Sequence, residues 1–428
     1  MELEEIIKYE VAQRREEGYD FTKIEDRMLK TEKLSFSELR VLLKDLEKLP
    51  IREDYPYKEL SDLREISMER LKEPERIKVD LSDDELYDRI YGGWLGRCAG
   101  CLLGKPVEGL KKEQIQEWLK MADAYPLRNY FPAIPNPPKP LKEGTLLGEI
   151  NRMVRDDDID YTIMNLHILE THGSNFTTMN VGESWLSMLP YLRVFTAERA
   201  AYRNLVNGIL PPESATHMNP YREWIGAQIR ADMWGYITPG MPNLGVEFAY
   251  RDARLSHTKN GIYGEMFVSA MISMAFTTEN INRIIEAGLS AIPKNSRLAE
   301  AIRDVVTWSK ESSDWEDTWN KVMEKYGHYH RTHTINNAAL VLLGLIHGRG
   351  DYERSITISV MSGLDTDCNG ATVGSILGIM LGAKSLPDKW IKPLNDRVES
   401  FVTGYDNSRI SKLAKHTLKL AKKNLKRK

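Results

Sequence analysis

Two runs of glycine, each repeating every fourth residue, constrain this chain more than any other feature. Gly92, Gly96, Gly100 and Gly104 form the first, within DRIYGGWLGRCAGCLLGKPVEG; Gly370, Gly374, Gly378 and Gly382 form the second. On a helix, residues four apart share one side, so each run is a smooth stripe. Glycine in a helix interior costs about 1 kcal/mol relative to alanine. That cost is offset where another backbone approaches closely. Two such helices, far apart in sequence, are predicted to cross at the centre of one domain, which argues against a chain of independent halves.

Elsewhere the apolar period is mostly 3.6, and strictly alternating strands are scarce, so the predicted fold is all-α. Ser82 followed by Glu85 reads as a capping box opening the first glycine helix. Residues 1–80 differ from the rest: about half are charged, with both signs mixed, and glycine is nearly absent. Within them Phe36, Leu39, Leu43 and Leu46 fall on one helical face, and Ser35 with Glu38 fits a second capping box. The chain is therefore divided into a helical N-terminal extension, 1–80, and an all-α main domain, 81–428. Residues 121–145 are Pro-rich and irregular, and 237–250 form a Pro/Gly-rich loop.

Composition excludes several classes. Lys plus Arg number 59 against 62 Asp plus Glu, a net charge of −3, which exerts no global pull toward nucleic acid or membrane. The start, MELEEIIKYE, lacks the apolar core of a secretory signal. The longest apolar runs, near 337–346 and 373–381, fall short of the roughly 18 residues that span a bilayer. Three cysteines make no disulfide framework, so a reducing, cytoplasmic setting is expected. Cys98-Ala99-Gly100-Cys101 has the spacing of a redox pair, but inside a glycine-packed helix the expected role is core packing. The basic end, RISKLAKHTLKLAKKNLKRK, reads as the solvated face of a terminal helix.

Two aspartate clusters carry the chemistry. Asp156-Asp157-Asp158-Ile159-Asp160 precedes an apolar helical stretch, and Asp365-Thr366-Asp367-Cys368-Asn369 precedes the second glycine stripe. One carboxylate caps a helix comfortably, whereas adjacent ones repel unless a cation binds. Hard divalent ions take several carboxylate oxygens, so the clusters suit one or two Mg²⁺, Mn²⁺ or Ca²⁺ ions. An EF-hand is excluded, because the sixth and twelfth positions from Asp156 hold Tyr161 and His167 rather than Gly and Glu. The DDxxD of the all-α, Mg²⁺-dependent isoprenoid synthases matches Asp156, Asp157 and Asp160. However, DTDCNG is not their second motif, and the glycine stripes have no role there.

From about residue 85 to about 420 the chain resembles the ADP-ribosylglycohydrolase family, which includes ADP-ribosyl-arginine and dinitrogen-reductase-activating hydrolases. Five segments occur in order. GGWLGRCAGCLLGKPVEG is similar to an opening segment written around GALLG…GDALGAPVE, and RDDDIDYTI to TDDTQMT. IGAQIRADMWG resembles the phosphate-loop segment, DARLSHTKNGIYG the DARLTH segment, and GLDTDCNGATVGSILG is close to GGDTDTNAAIAGALLG. The resemblance implies an all-α bundle around a cleft holding two cations, Mg²⁺ in the family.

Carried over, the metal ligands would be Asp156, Asp157 and Asp158 with Asp365, Asp367 and Cys368. Glu108 matches the family's metal-gating or catalytic glutamate, with Asp157 and Asp365 as further catalytic candidates. Gly226 and Ala227 match a loop whose amides face a diphosphate, with His257 nearby, Arg230 as counter-charge and Asn369 as a further ligand-binding residue. Trp234 and Tyr236 are candidates to stack on a base, and His333, Asn336 and Asn337 to line the same cleft. This sequence departs from the pattern where Asp156 and Ile159 replace Thr, Cys368 replaces a hydroxyl ligand, and Cys101 stands where Asp is frequent. The implied activity is hydrolysis of an N- or O-glycosidic bond to ribose in an ADP-ribose conjugate, on a small molecule or an ADP-ribosylated protein. The alternative is an inactive member that binds ADP-ribose or a nucleotide. Neither nucleic acid nor a membrane is an expected partner.

Overall fold

In the computed structural model, residues 3–25 and 34–426 are described. Helices dominate. The named strands among the described residues are Arg397–Glu399 and Asn407–Arg409, an antiparallel pair with Arg397 opposite Arg409.

At the centre lie the two glycine helices, Asp83–Gly104 and Thr366–Leu381. They run antiparallel in strict register. A Cβ on Gly92 would lie 2.3 Å from the Gly378 carbonyl oxygen, one on Gly96 2.1 Å from that of Gly374, and one on Gly100 1.9 Å from that of Gly370. The relation is reciprocal, since a Cβ on Gly370 would lie 2.4 Å from the Gly100 oxygen. The two remaining glycines act at the helix ends. Gly104 faces the Thr366 carbonyl, and Gly382, at φ +80°, closes the second helix. The second helix is buried from Thr366 to Met380, so it shows no polar face.

Around this pair pack Asp157–His172, Lys259–Ala275, Thr334–Gly348 and the terminal helix Ile410–Leu425. The terminal helix buries Ile410, Leu413, Ala414 and Ala421, and Thr417 accepts a hydrogen bond from Trp94 Nε1 at 3.1 Å. Both predicted capping boxes form, at Ser35/Glu38 and Ser82/Glu85. No helix among the described residues is long and apolar enough to cross a membrane.

The described residues among the first eighty are less helical than their composition predicts. Leu3–Glu16, Phe36–Leu46 and Leu63–Glu69 are helices; much of the described remainder, including 70–81, is turn or extended chain draped over the body. Ile7, Ile24, Leu39, Leu42, Leu43, Leu46 and Leu49 make a small core of their own. Phe36, placed on the buried face by periodicity, is exposed at the helix start, where the Arg40 guanidinium covers its ring.

This segment docks through buried charge. Arg222 pairs with Glu10 and Glu17, each at 2.7 Å, and Arg297 with Glu59 and Glu223, each at 2.7 Å. Removing one partner of a buried pair strands the other and costs about 3 kcal/mol or more. Arg222→Ala is therefore expected to loosen the extension, read as faster proteolytic cleavage within 1–50. Unchanged cleavage kinetics would mean that the ionic seam does not hold it.

Candidate active site

The antiparallel register of the glycine helices builds the site. It sets the C-terminal end of the first, with Lys105 and Glu108 just beyond, against the N-terminal end of the second, with Asp365, Asp367 and Cys368. Thr366 Oγ1 ties the junction by donating to the Gly104 carbonyl at 2.8 Å. The chain enters the second helix through Gly363 (φ +81°) and Leu364 (φ +66°). Leu364 is a non-glycine residue in the left-handed region, strain of the kind that collects at functional sites. Asn337 braces the turn: its Oδ1 accepts from Asp365 N at 3.2 Å and from Asn369 Nδ2 at 2.8 Å.

The first cluster arrives on a separate helix start. Asp156 is the N-cap of Asp157–His172 and accepts from Asp158 N at 3.0 Å. Asp160 turns away, held by Arg155 Nε at 2.8 Å, Ser400 Oγ at 2.8 Å and Phe401 N at 3.0 Å. Asp158 is bound by Cys368 Sγ at 3.2 Å and Arg97 Nη2 at 3.3 Å. Arg97, itself fully buried, also pairs with Asp232 at 2.7 Å.

Between the clusters stands Lys105. Its Nζ lies 2.5 Å from Asp156 Oδ2, 2.9 Å from Asp367 Oδ2 and 3.3 Å from Glu108 Oε2. The electrostatics follow from burial and from this one cation. Burial and the adjacent Asp156 push Asp157 up to about 8, and burial and Glu108 push Asp367 up to about 6. Burial and Asp367 raise Asp365 well above the carboxylate range. Against its own burial, Asp156 is held at about 2 by the Lys105 ammonium. The Cys368 thiol is raised by burial and Asp158.

Carboxylates thus outnumber the charges that neutralise them, and Asp367 Oδ1 is buried without a hydrogen-bond partner among the described residues. Two groups of ligand atoms, Cys101/Asp156/Asp158 and Asp365/Asp367/Cys368, each lie within 4.8 Å of one another, and their carboxylate oxygens suit a hard divalent cation. Cys368 lies with Asp365 and Asp367 in one group of ligand atoms within 4.8 Å, but as a protonated thiol it is a poor donor to such an ion.

The clusters floor a cleft of about 900 Å³. Glu108, Asp157, Asp158, Asp365, Asp367, Cys368 and Gly226 all reach it. Its outer part was not foreseen. Arg199, Arg203 and Arg331 line it, and the N-terminal helix contributes Glu5 and Tyr9. Tyr9 meets Trp224 edge-on at 5.4 Å, and Trp224 stacks on His330 at 4.0 Å.

Several expected ligand residues stand elsewhere. Arg230 is not a cleft counter-charge: it is fully buried, with Glu198 at 2.6 Å, Asp252 at 3.0 Å and Glu265 at 3.6 Å, and its guanidinium lies over Tyr161 and Trp185. Trp234 and Tyr236 are core residues: Trp234 donates to Glu265, and Tyr236 shares a hydrogen bond with Ser375. Ala227 and His257 are buried behind the cleft wall; the His257 ring lies 4.0 Å from Glu198 and is kept neutral by burial and Arg230. The open side of Gly226 faces Glu198, whose Oε1 would lie 2.2 Å from a Cβ there. Asn369 and Asn337 support the second cluster from beneath, Asn336 binds the 329–330 carbonyls, and His333 faces Glu16 and Glu223. Asp156 lies beneath Lys105, 1% exposed. Cys98 and Cys101 are free, buried thiols.

The missed residues had a partial signal. A lone arginine inside a glycine-striped apolar helix, as at Arg97, requires a buried carboxylate. Lys105 follows that stripe directly. Nothing local distinguishes Trp224 or Arg331 from surface residues.

Fold and cleft together define an all-α protein with a carboxylate floor suited to a hard cation. Residues 82–426 match the sequence profile of the ADP-ribosylglycohydrolase family, and the chain belongs to it. An uncharacterized protein of Archaeoglobus fulgidus is 26% identical over 310 residues, 71% of this chain and 90% of its own length. A solved ADP-ribosylglycohydrolase-related protein complex superimposes with a TM-score of 0.52 at 20% identity, covering 80% of this chain and 99% of that one. It supports the fold.

Proposed function

We propose that the protein is a cation-dependent glycohydrolase that cleaves the N- or O-glycosidic bond at the anomeric carbon of a ribosyl unit, with ADP-ribose conjugates as its substrate class. The observation that carries this reading is the convergence of two aspartate clusters, 207 residues apart at Asp158 and Asp365, on one cleft floor. A divalent cation held by carboxylates of these clusters would supply charge to orient vicinal ribose hydroxyls and an attacking water.

The chain's own residues do the rest. Glu108, with 36% of its side chain exposed, is the most accessible carboxylate of the group and takes the proton from the water. Lys105 at 3.3 Å and Lys139 at 3.9 Å steady its charge. The bond from the anomeric carbon to the leaving nitrogen or oxygen breaks as the water oxygen bonds to that carbon, through an oxocarbenium-like transition state, and the proton taken by Glu108 passes to the leaving atom. Asp365 is held in place by Asn337 throughout.

The substrate's remote half has charge and surface to meet. Because the Glu198 carboxylate lies against Gly226, a diphosphate is better matched by Arg199, Arg203 and Arg331 than by the Gly226 loop. The Tyr9, Tyr221, Trp224 and His330 group offers aromatic surface for a base. The cleft is nucleotide-sized by volume.

Turnover of ADP-ribosylated arginine and serine peptides, with Mg²⁺ and with EDTA, tests the proposal. Release of ADP-ribose that EDTA abolishes is the expected result. Tight ADP-ribose binding without release from any conjugate would make the chain a binding member of the family. EDTA-insensitive release would remove the cation from the reaction.

A further inference from the structure

The family implies two cations, and this chain fits one of the two places better than the other. The Lys105 ammonium already holds the point where the two clusters meet, bonded to Asp156 of the first, Asp367 of the second and the intervening Glu108. An ion touching both Asp156 Oδ2 and Asp367 Oδ2 needs about 2.1 Å to each. The ammonium stands 2.5 and 2.9 Å from the same two atoms. The two cations cannot share that space, and their like charges repel in a buried site.

The sequence carries a matching pair of departures. Where the family segment reads GAPVE this chain has Gly104-Lys105-Pro106-Val107-Glu108, and where it reads TDD this chain has Asp156-Asp157-Asp158. One change adds a positive charge and the other a negative charge, and the two side chains are in contact. Asp156 shares its ligand group with Cys101 and Asp158, and Asp158 is already engaged by Arg97 Nη2 at 3.3 Å and Cys368 Sγ at 3.2 Å. The second place is different: among the described residues Asp367 Oδ1 is unpartnered there, and Asp365 and Asp367 have no ammonium of their own beyond the one shared Lys105 contact.

We infer that Lys105 is a built-in substitute for one of the two cations, so that the protein binds a single divalent ion, at the Asp365/Asp367 side, with the Lys105–Asp156 pair completing the centre. The inference rests on the cation-binding reading above, but not on the identity of the substrate. Lys105 is a positioning residue in this arrangement: it orients Asp367 and Glu108 from the protein side.

Metal counting tests it without reference to turnover. Titration of the metal-free protein with Mn²⁺, followed by calorimetry and by electron paramagnetic resonance, is expected to give one ion per chain and the spectrum of an isolated Mn²⁺. Lys105→Ala/Asp156→Thr, which restores the family pattern, is expected to bind two, with the dipolar broadening of ions about 4 Å apart. Lys105→Gln removes the charge with a polar side chain one atom shorter and serves if the double variant does not fold; it too is expected to bind a second ion. Two coupled ions in the unaltered protein would overturn the inference and leave the glycohydrolase proposal intact. One ion in every variant would also overturn it. No ion in any of them would overturn both. One ion in the unaltered protein, two in the variants and no hydrolysis of ADP-ribose conjugates would sustain the inference while removing the proposed reaction.

Discussion

Gly100→Ala is expected to destabilise the protein by about 3 kcal/mol or more, although alanine is the better helix former by about 1 kcal/mol. The added methyl carbon would lie 1.9 Å from the Gly370 carbonyl oxygen and 2.5 Å from its carbon. Neither atom is the end of a flexible side chain. Relief requires the two central helices to separate, and both are buried along their glycine stripes. Separation at one pair also opens Gly96/Gly374, because the register is shared, and dispersion contacts are lost on both sides. Gly182→Ala is the matched control. It lies in the helix Thr178–Met188, and its added carbon would meet the Leu205 Cδ1 methyl at 3.1 Å, a side chain that can turn away. Alanine there is expected to change stability by less than about 1 kcal/mol. Thermal melts separate the two, with Gly100→Ala lower by roughly 3 °C or more. If both variants melt alike, the glycine stripes are not what brings the helices together.

Asp367→Ala is expected to lower kcat/KM on a ribosyl substrate by at least about a thousandfold, which is roughly 4 kcal/mol of transition-state stabilisation. Asp367 is the residue on which the centre turns. It meets Lys105 at 2.9 Å, lies in one ligand group with Asp365 and Cys368, and leaves one buried oxygen free. Its loss should therefore weaken divalent-ion binding as well as turnover. Stability is expected to move the other way. Burial and Glu108 raise the carboxyl from its ordinary value near 4 to about 6. A carboxyl whose folded-state pKa is raised disfavours the folded state once ionised, so its cost grows as pH rises through that window and is full above it. In EDTA, Asp367→Ala should melt at or above the unaltered protein at pH 8, and the difference should shrink at pH 4.5. A variant that loses activity and also melts lower in EDTA at pH 8 would mean that Asp367 serves the fold rather than a cation.

What could be read from residues alone was whatever is encoded within a few turns of chain. The glycine spacing implied a close helix pair, and the structure pairs Gly92, Gly96 and Gly100 with Gly378, Gly374 and Gly370. Ser35 with Glu38 and Ser82 with Glu85 form the capping boxes that their spacing predicts, because a cap involves only its own first turn. Adjacent aspartates at two helix starts implied repulsion in want of a cation, since the argument needs only their proximity.

What only the tertiary structure decided was the partner of each charge and the side on which each aromatic ring falls. Arg230 and Arg97 are equally plausible from sequence as cleft cations, yet both are fully buried among carboxylates of distant segments, Asp252 and Glu265 for one, Asp158 and Asp232 for the other. Trp234 and Trp224 are ten residues apart; one is core and the other reaches the cleft. The extension's composition marks it as charged and helical, but not that Tyr9 would join the cleft wall or that Glu10 and Glu17 would close on Arg222. The physical reason is common to all of these. Helical periodicity determines which residues share a face, whereas the desolvation that makes a buried charge seek its partner acts only after distant elements have packed.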